Sequence, residues 1–230
     1  TPRVTARLEH AGDTATLHLS QLVPLTPGQS VKQPMVIPLR LALFDRASGT
    51  HRGEELVVLK DAQTSISFAG FSELPVLSIN RGFSAPVSIE REMSHEDLVF
   101  LAAKDDDPFA RYEAMQELTV GHLTAVLGGT LDDAARSAGR EAIAAALKAV
   151  LIDPALDDLM RGELMLLPSQ TYLSEQMLVS DPAAVHGERE GLKAWLGGRL
   201  EAELSALHAR AAAIPYSLEA AARGARKVKT

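Results

Sequence analysis

The sequence predicts an α+β multidomain fold: an antiparallel β-sandwich over residues 1–93, then an all-α domain of stacked antiparallel helices over 94–230. Three observations carry this. Alanine occurs 8 times up to Met93 and 27 times after it, while seven of the twelve prolines fall in the first part. Alanine with Leu and Glu favours helix, whereas little alanine and frequent proline favour strands and turns. Charge divides as well. Residues 1–93 hold nine Lys/Arg and nine Asp/Glu, so the remaining fourteen and twenty-one carry the whole net of −7. Finally, the apolar period changes from two to that of a helix near residues 91–95.

The strands can be read in order. Val4–Leu8 opens the series. In Thr14–Leu19, Ala15, Leu17 and Leu19 share one face and Thr14, Thr16 and His18 the other. Ile37, Leu39, Leu41 and Leu43 repeat the alternation, and Asp45–Gly49 follows as a turn. Leu56–Leu59, Ser65–Phe68, Val76–Ile79 and Val87–Ile89 complete about seven strands, spaced as in a sandwich. Proline cannot donate to a ladder, so Pro34, Pro38 and Pro86 are expected at edges or bulges.

Six or seven helices follow. Ile143, Ala146, Leu147, Val150 and Leu151 form one stripe; Leu192, Leu196, Leu200, Leu204 and Leu207 form another, flanked by Trp195. Asp107-Pro108 and Asp181-Pro182 each place a capping carboxylate before a proline at the first helical position. Asp153-Pro154 has the same form and is expected to end one helix and begin the next. Ser94 with Asp97 resembles a capping box. Gly128-Gly129 suits a helix end, and Gly197-Gly198 is read as a site of close helix packing. Trp195, Phe100 and Phe109 are assigned to the core.

Composition excludes several classes. An apolar content of 46% is too high for a disordered chain, and no apolar run approaches a membrane span. The absence of cysteine removes disulfides, thiolate metal sites and cysteine nucleophiles. With 4% aromatics, base stacking on nucleic acid is not expected, nor is any membrane partner. The start at Thr1-Pro2, without an initiator methionine, a basic stretch or an apolar leader, reads as a mature or excised segment.

No catalytic constellation emerges. No two of the seven histidines (10, 18, 51, 95, 122, 186 and 208) stand four apart. His95-Glu96 begins like HExxH, but Val99 takes the place of the second ligand, so no metal residue is assigned. Gly82-Phe83-Ser84-Ala85-Pro86 nearly matches a nucleophile elbow, yet it lies in strand-rich sequence with no following helix, and a structural turn is expected. Neither phosphate-binding glycine motif occurs. Asp105-Asp106-Asp107 lacks the alternating ligands of a calcium loop and is read as a helix cap. The basic group Arg223, Arg226, Lys227 and Lys229 is read as the exposed end of a helix that continues past Thr230. Catalytic, cofactor-binding and metal residues are therefore all assigned as none.

Four segments are more specific than this outline. They are Lys32-Gln33-Pro34-Met35-Val36-Ile37-Pro38-Leu39 and Leu77-Ser78-Ile79-Asn80-Arg81-Gly82-Phe83-Ser84-Ala85-Pro86-Val87. The third runs from His95-Glu96-Asp97-Leu98 through Phe100-Leu101 to Arg111-Tyr112-Glu113-Ala114 and Gln116. The fourth runs from Leu151-Ile152-Asp153-Pro154 through Leu166-Leu167-Pro168-Ser169 to Asp181-Pro182. In this order and spacing the chain resembles the middle and later part of the bacterial aminopeptidase N family of zinc gluzincin aminopeptidases. The resemblance implies an Ig-like β-domain and the first part of a long helical domain. It also implies a cytoplasmic parent that removes N-terminal amino acids from peptides. The parent's HExxH zinc site and its GAMEN-type motif lie in an upstream domain, and neither motif is present here. Two positions depart from the family: Tyr112 stands where Trp is frequent, and Gln170 where an acid is common.

The leading expectation is thus a non-catalytic segment, spacer and chamber wall of a zinc aminopeptidase. Its partners would be the upstream catalytic domain and, in the parent, peptide substrates. It needs no cofactor of its own, the zinc belonging to the parent's catalytic domain. A free-standing adaptor that binds a protein through its helices is the second reading. A hydrolase built on Ser84 is the third.

Overall fold

A computed structural model describes residues 1–229; the helix continuation expected at Thr230 lies outside them. The chain divides into two compact units. One comprises Thr1–Ser94 with Lys104–Ala110, the other His95–Ala103 with the chain from Arg111 onward.

The first unit is a two-sheet sandwich of seven strands. They are β1 (Arg3–Ala11), β2 (Thr14–Leu22), β3 (Ile37–Phe44), β4 (Glu55–Leu59), β5 (Gln63–Ala69), β6 (Val76–Ile79) and β7 (Ser88–Arg91). One sheet runs β5-β2-β1-β7 and the other β4-β3-β6. The expected alternation sets which face is buried: Ala15, Leu17 and Leu19 of β2 meet Ile37, Leu39 and Leu41 of β3 in one core. On the opposite face of β2, polar side chains pair across the strands. Thr16 Oγ1 lies 3.1 Å from Ser67 Oγ, and His18 Nδ1 lies 2.8 Å from Ser65 Oγ. All pairs are antiparallel except β1 with β7, where Arg3–Ala6 run parallel to Ser88–Arg91.

The three prolines avoid the ladders in different ways. Pro34 and Pro86 lie outside the strands. Pro38 sits within β3, the middle strand of its sheet. There β6 pairs only with Leu41–Phe44, so the stretch around Pro38 has a neighbour on one side alone. A missing N–H is tolerated where no second ladder exists.

The second unit holds the helices α1 (His95–Lys104), α2 (Pro108–Leu127), α3 (Asp133–Ile152), α4 (Asp158–Leu164), α5 (Gln170–Glu175), α6 (Pro182–Arg199), α7 (Glu201–Ala212) and α8 (Ala220–Lys229). That is eight among the described residues, more than the six or seven expected. The core is built from the predicted stripe of α3 together with Leu118 and Leu123 of α2, Leu164 of α4, Leu173 of α5 and Leu192 of α6. Helix α8 packs on α4 and α7 through Ala222, Ala225 and Val228.

Several details differ from the sequence reading. The leucine stripe from Leu192 to Leu207 belongs to two helices, because Leu200 leaves helical geometry at φ −119° and ψ 22°. Gly197 and Gly198 precede this break with no atom within 4 Å of where a Cβ would stand, so they mark poor helix propensity and no close packing. Close approaches lie elsewhere. A Cβ on Gly224 would come 2.9 Å from Asp158 Cβ and 3.0 Å from Leu159 N, so α8 and α4 touch along that line. Asp153 ends α3, but the next helix starts at Asp158, where Asp157 accepts from Leu159 N and Met160 N at 2.9 and 3.0 Å. Asp181 caps α6 as expected, accepting from Ala183 N and Ala184 N. Trp195, Phe100 and Phe109 are half-buried and not fully in the core.

Candidate functional site

The densest buried polar group of the β unit surrounds Arg81, on a short turn over Arg81–Phe83 that follows β6. The turn forms because Asn80 adopts a left-handed backbone, φ 61°, and Gly82 supplies a second at φ 61° without a Cβ penalty. Asn80 Oδ1 then accepts from Ser84 Oγ at 3.2 Å and from Ala85 N at 2.9 Å, closing the loop. Ser84 Oγ also accepts from Arg40 N at 2.9 Å. Its hydroxyl holds two backbone segments together, which is the structural turn the sequence predicts.

Arg81 is 3% exposed and faces the three aspartates that precede α2. Its Nη2 donates to Asp105 Oδ1 at 3.2 Å and to Asp106, while Glu54 lies 3.8 Å from Nε. Asp106 is in turn 3.1 Å from His51 Nε2. Asp107 performs the expected capping, accepting from Ala110 N at 2.8 Å, and also from Gly82 N at 3.1 Å. One residue of the run thus caps the helix, and the other two neutralise a buried arginine that sequence reasoning missed. Burial pushes the Asp105 carboxyl above its ordinary value, with the Asp107 N–H and Arg81 offsetting only part of that. For Asp106, burial also raises the pKa, but the hydrogen bond from His51 and the Arg81 charge outweigh it and hold the group below the usual range.

Two buried arginines of the helical unit close helix ends. The last carbonyls of a helix have no partner inside it. Arg161 serves those of α3: it donates to Val150 O, to Leu151 O at 2.9 Å and to Asp153 O at 2.8 Å. Arg111 does the same for α1, donating to Ala102 O at 3.0 Å, and it pairs with Asp153 Oδ2 at 3.1 Å. A signal existed for Arg111, which falls at helical spacing from the buried Ala114, Met115 and Leu118. An arginine on an apolar stripe asks for a carbonyl or carboxylate partner.

The histidines remain apart. His10 bonds Phe71 O at 2.8 Å, His51 bonds Asp106, and His186 lies 2.9 Å from Gln170, which thereby makes an uncharged contact. His122 is buried on α2 against Gly139 of α3, where a Cβ would run into its ring. Burial first, then the charges of Arg140 and Arg136, lower its pKa to about 4, so it is a neutral imidazole. The basic group on α8 is partly used internally: Lys227 pairs with Glu163, and Arg226 lies 4.7 Å from the centre of the Tyr216 ring while donating to Ser217 O. Among the described residues no three His, Asp or Glu side chains converge as a metal ion requires. The zinc implied by the sequence resemblance has no fitting donor set here, and no chemical step is derived through it. No described helix is long and apolar enough to cross a membrane.

These polar clusters find most of their partners within their own chain and serve to hold turns and helix ends, while the buried Arg81 Nε, Asp105 Oδ2 and His122 Nδ1 have no hydrogen-bond partner among the described residues. The first unit is a two-sheet β-sandwich and the second a set of packed helices, the class of a two-part α+β protein. Residues 1–92 match the family described as a domain of unknown function (DUF3458) with an Ig-like fold, and residues 95–230 match the domain of unknown function (DUF3458_C) with ARM repeats. The chain belongs to this DUF3458 family. It is 30% identical over 222 residues to aminopeptidase N of Escherichia coli (strain K12), covering 90% of this chain and 25% of that protein. Aminopeptidase N of Caulobacter vibrioides is 35% identical over 179 residues, covering 77% and 20%. The fold matches a crystal structure of Legionella pneumophila aminopeptidase A in complex with aspartic acid, with a TM-score of 0.82, 23% identity and coverage of 99% and 26%. At that identity the likeness speaks for the fold alone. The resemblance to bacterial aminopeptidase N is borne out, as is the sandwich-then-helices fold. The chain spans about a quarter of the length of the relatives it matches.

Proposed function

We propose that this chain is a non-catalytic part of a zinc-dependent aminopeptidase, the β unit a spacer and the helical unit part of the wall around the substrate chamber. The functional boundary falls at residues 93 and 94. The observation that carries the proposal is the 30% identity over 90% of the chain to a quarter of a named aminopeptidase N. A wall and spacer need rigid placement more than reactive groups. That fits a chain whose buried arginines are spent on helix ends and turns.

On this reading the working partner is a catalytic domain earlier in the same polypeptide, which supplies the zinc and the residues that bind a peptide's N-terminus. The substrates are cytoplasmic peptides, and the enclosed chamber excludes folded proteins. No relative found supports the free-standing adaptor.

The test is an aminopeptidase assay on an alanyl amide. The 230-residue chain alone should give no chelator-sensitive release. The same chain joined to the zinc domain of its parent should be active, and should lose selectivity for short peptides when the helical unit is deleted. Chelator-sensitive turnover by the chain alone overturns the proposal.

A further inference from the structure

Where α3 meets His122 of α2, positive charge gathers that the chain does not neutralise. Arg136 and Arg140 stand one helical turn apart on α3, a spacing at which side chains are neighbours and like charges repel. Arg136 pairs with Glu188 of α6. Arg140 enters no hydrogen bond or ion pair with a described residue, and its Nε is buried. Both arginines act on His122, Arg140 more strongly; His95 of α1 acts in the same sense and Glu188 opposes them.

His122 itself is 3% exposed and has an uncommitted donor. Its Nδ1 edge is pressed on Gly139, where a Cβ would fall 3.0 Å from Cε1 and 3.3 Å from Cγ. A ring N–H aimed there would set a donor against the glycine Cα–H, whereas a lone pair accepts that weak contact. The neutral ring therefore carries its proton on Nε2. No described residue accepts from that N–H.

We propose that Arg140, Arg136 and His122 Nε2 bind a single small oxyanion of the phosphate or sulfate class beside α3. Arg140 supplies the unneutralised charge, Arg136 the N–H groups that Glu188 does not use, and His122 a neutral donor. Donors on three separate side chains suit a tetrahedral oxyanion, while a planar carboxylate is matched by one guanidinium fork. The inference uses the helical unit alone and does not depend on the proposal above. A bound dianion also favours the imidazolium, so His122, whose pKa the chain alone holds at about 4, takes up its proton at a higher pH when the site is filled. By the same linkage the anion binds more tightly as pH falls.

The test titrates the full 230-residue chain with sodium sulfate against sodium chloride at matched ionic strength, read by NMR of the His122 imidazole and by thermal melting. Sulfate keeps its charge across the range, so any pH dependence belongs to the protein. Saturable binding is expected, with the His122 midpoint raised by about one pH unit or more at saturation. Arg140→Gln has no partner to lose; it should keep the circular dichroism spectrum and weaken sulfate binding by about tenfold or more. Glu188→Gln removes the opposing carboxylate and should tighten binding several-fold. Sulfate that acts no differently from chloride overturns the inference. So does binding that survives Arg140→Gln in a folded chain, a His122 midpoint that saturating sulfate leaves in place, or weaker binding in Glu188→Gln. Should Arg140→Gln fail to fold, the sign of the Glu188→Gln effect and the His122 midpoint decide.

Discussion

Arg81 Nη2 lies 3.2 Å from Asp105 Oδ1, with the two side chains 3% and 0% exposed. This pair ties the turn after β6 to the residues just before α2, both within the β unit. Burying two charges is costly, and removing only one partner leaves the other without compensation. Arg81→Met should therefore cost about 3–5 kcal/mol in urea denaturation. Adding Asp105→Leu to that variant should recover most of the loss. If the double variant is no more stable than the single one, the pair is not the source of the effect.

His122 makes stability depend on mild acid. Its pKa is lowered to about 4 by burial and by Arg140 and Arg136, with His95 adding to them and Glu188 opposing, whereas an unfolded imidazole titrates near 6.5. Between those values the unfolded chain takes up a proton that the folded chain refuses. Stability contributed by this group is thus full above pH 6.5 and falls as pH drops toward 4, by about 3 kcal/mol. Denaturation midpoints across that range should fall steeply for the wild type and less for His122→Leu. Parallel profiles would refute this.

Two glycine substitutions should have opposite signs. A Cβ at Gly224 meets Asp158 Cβ at 2.9 Å and the backbone of Leu159 at 3.0 Å, so Gly224→Ala forces α8 off α4. A loss of about 1–3 kcal/mol follows from such overpacking. At Gly197 nothing stands within 4 Å, and alanine there should add about 0.5–1 kcal/mol through helix propensity. Thermal melts of both variants decide it.

Asp157 carries the start of α4 by accepting from two backbone N–H groups. Asp157→Ala should cost about 1 kcal/mol, the usual worth of an N-cap. Thermal melting would show the loss, and an unchanged melting temperature would mean that packing on α8 alone holds the helix.

Local patterns were legible and distant partners were not. Seven strands and the stripe of α3 could be read because a strand or helix face is set by neighbours within a few residues. The caps at Asp107 and Asp181 were legible for the same reason. Asp105 and Asp106 looked like more of the same cap, since their partner Arg81 is more than twenty residues away. The parallel placement of β7 beside β1 is likewise a long-range choice that alternation cannot express. Asp153-Pro154 misled because its carboxylate does receive an N–H, that of Ala155, yet the chain makes a turn before α4 begins. Of the buried polar groups, Arg111 was signalled by its place on an apolar stripe. His122 gave no signal beyond its type.

The break at Leu200 has a geometric consequence. Unbroken, α6 and α7 would make a rod of about 46 Å, half again as long as the roughly 30 Å of α3. Such a rod would overshoot its support and leave leucines in water. Because the rod bends after Arg199, both halves lie against α3, and Leu196 and Leu207 are each buried. Two poor helix formers in the final turn thus let a single straight helix be clasped from two directions.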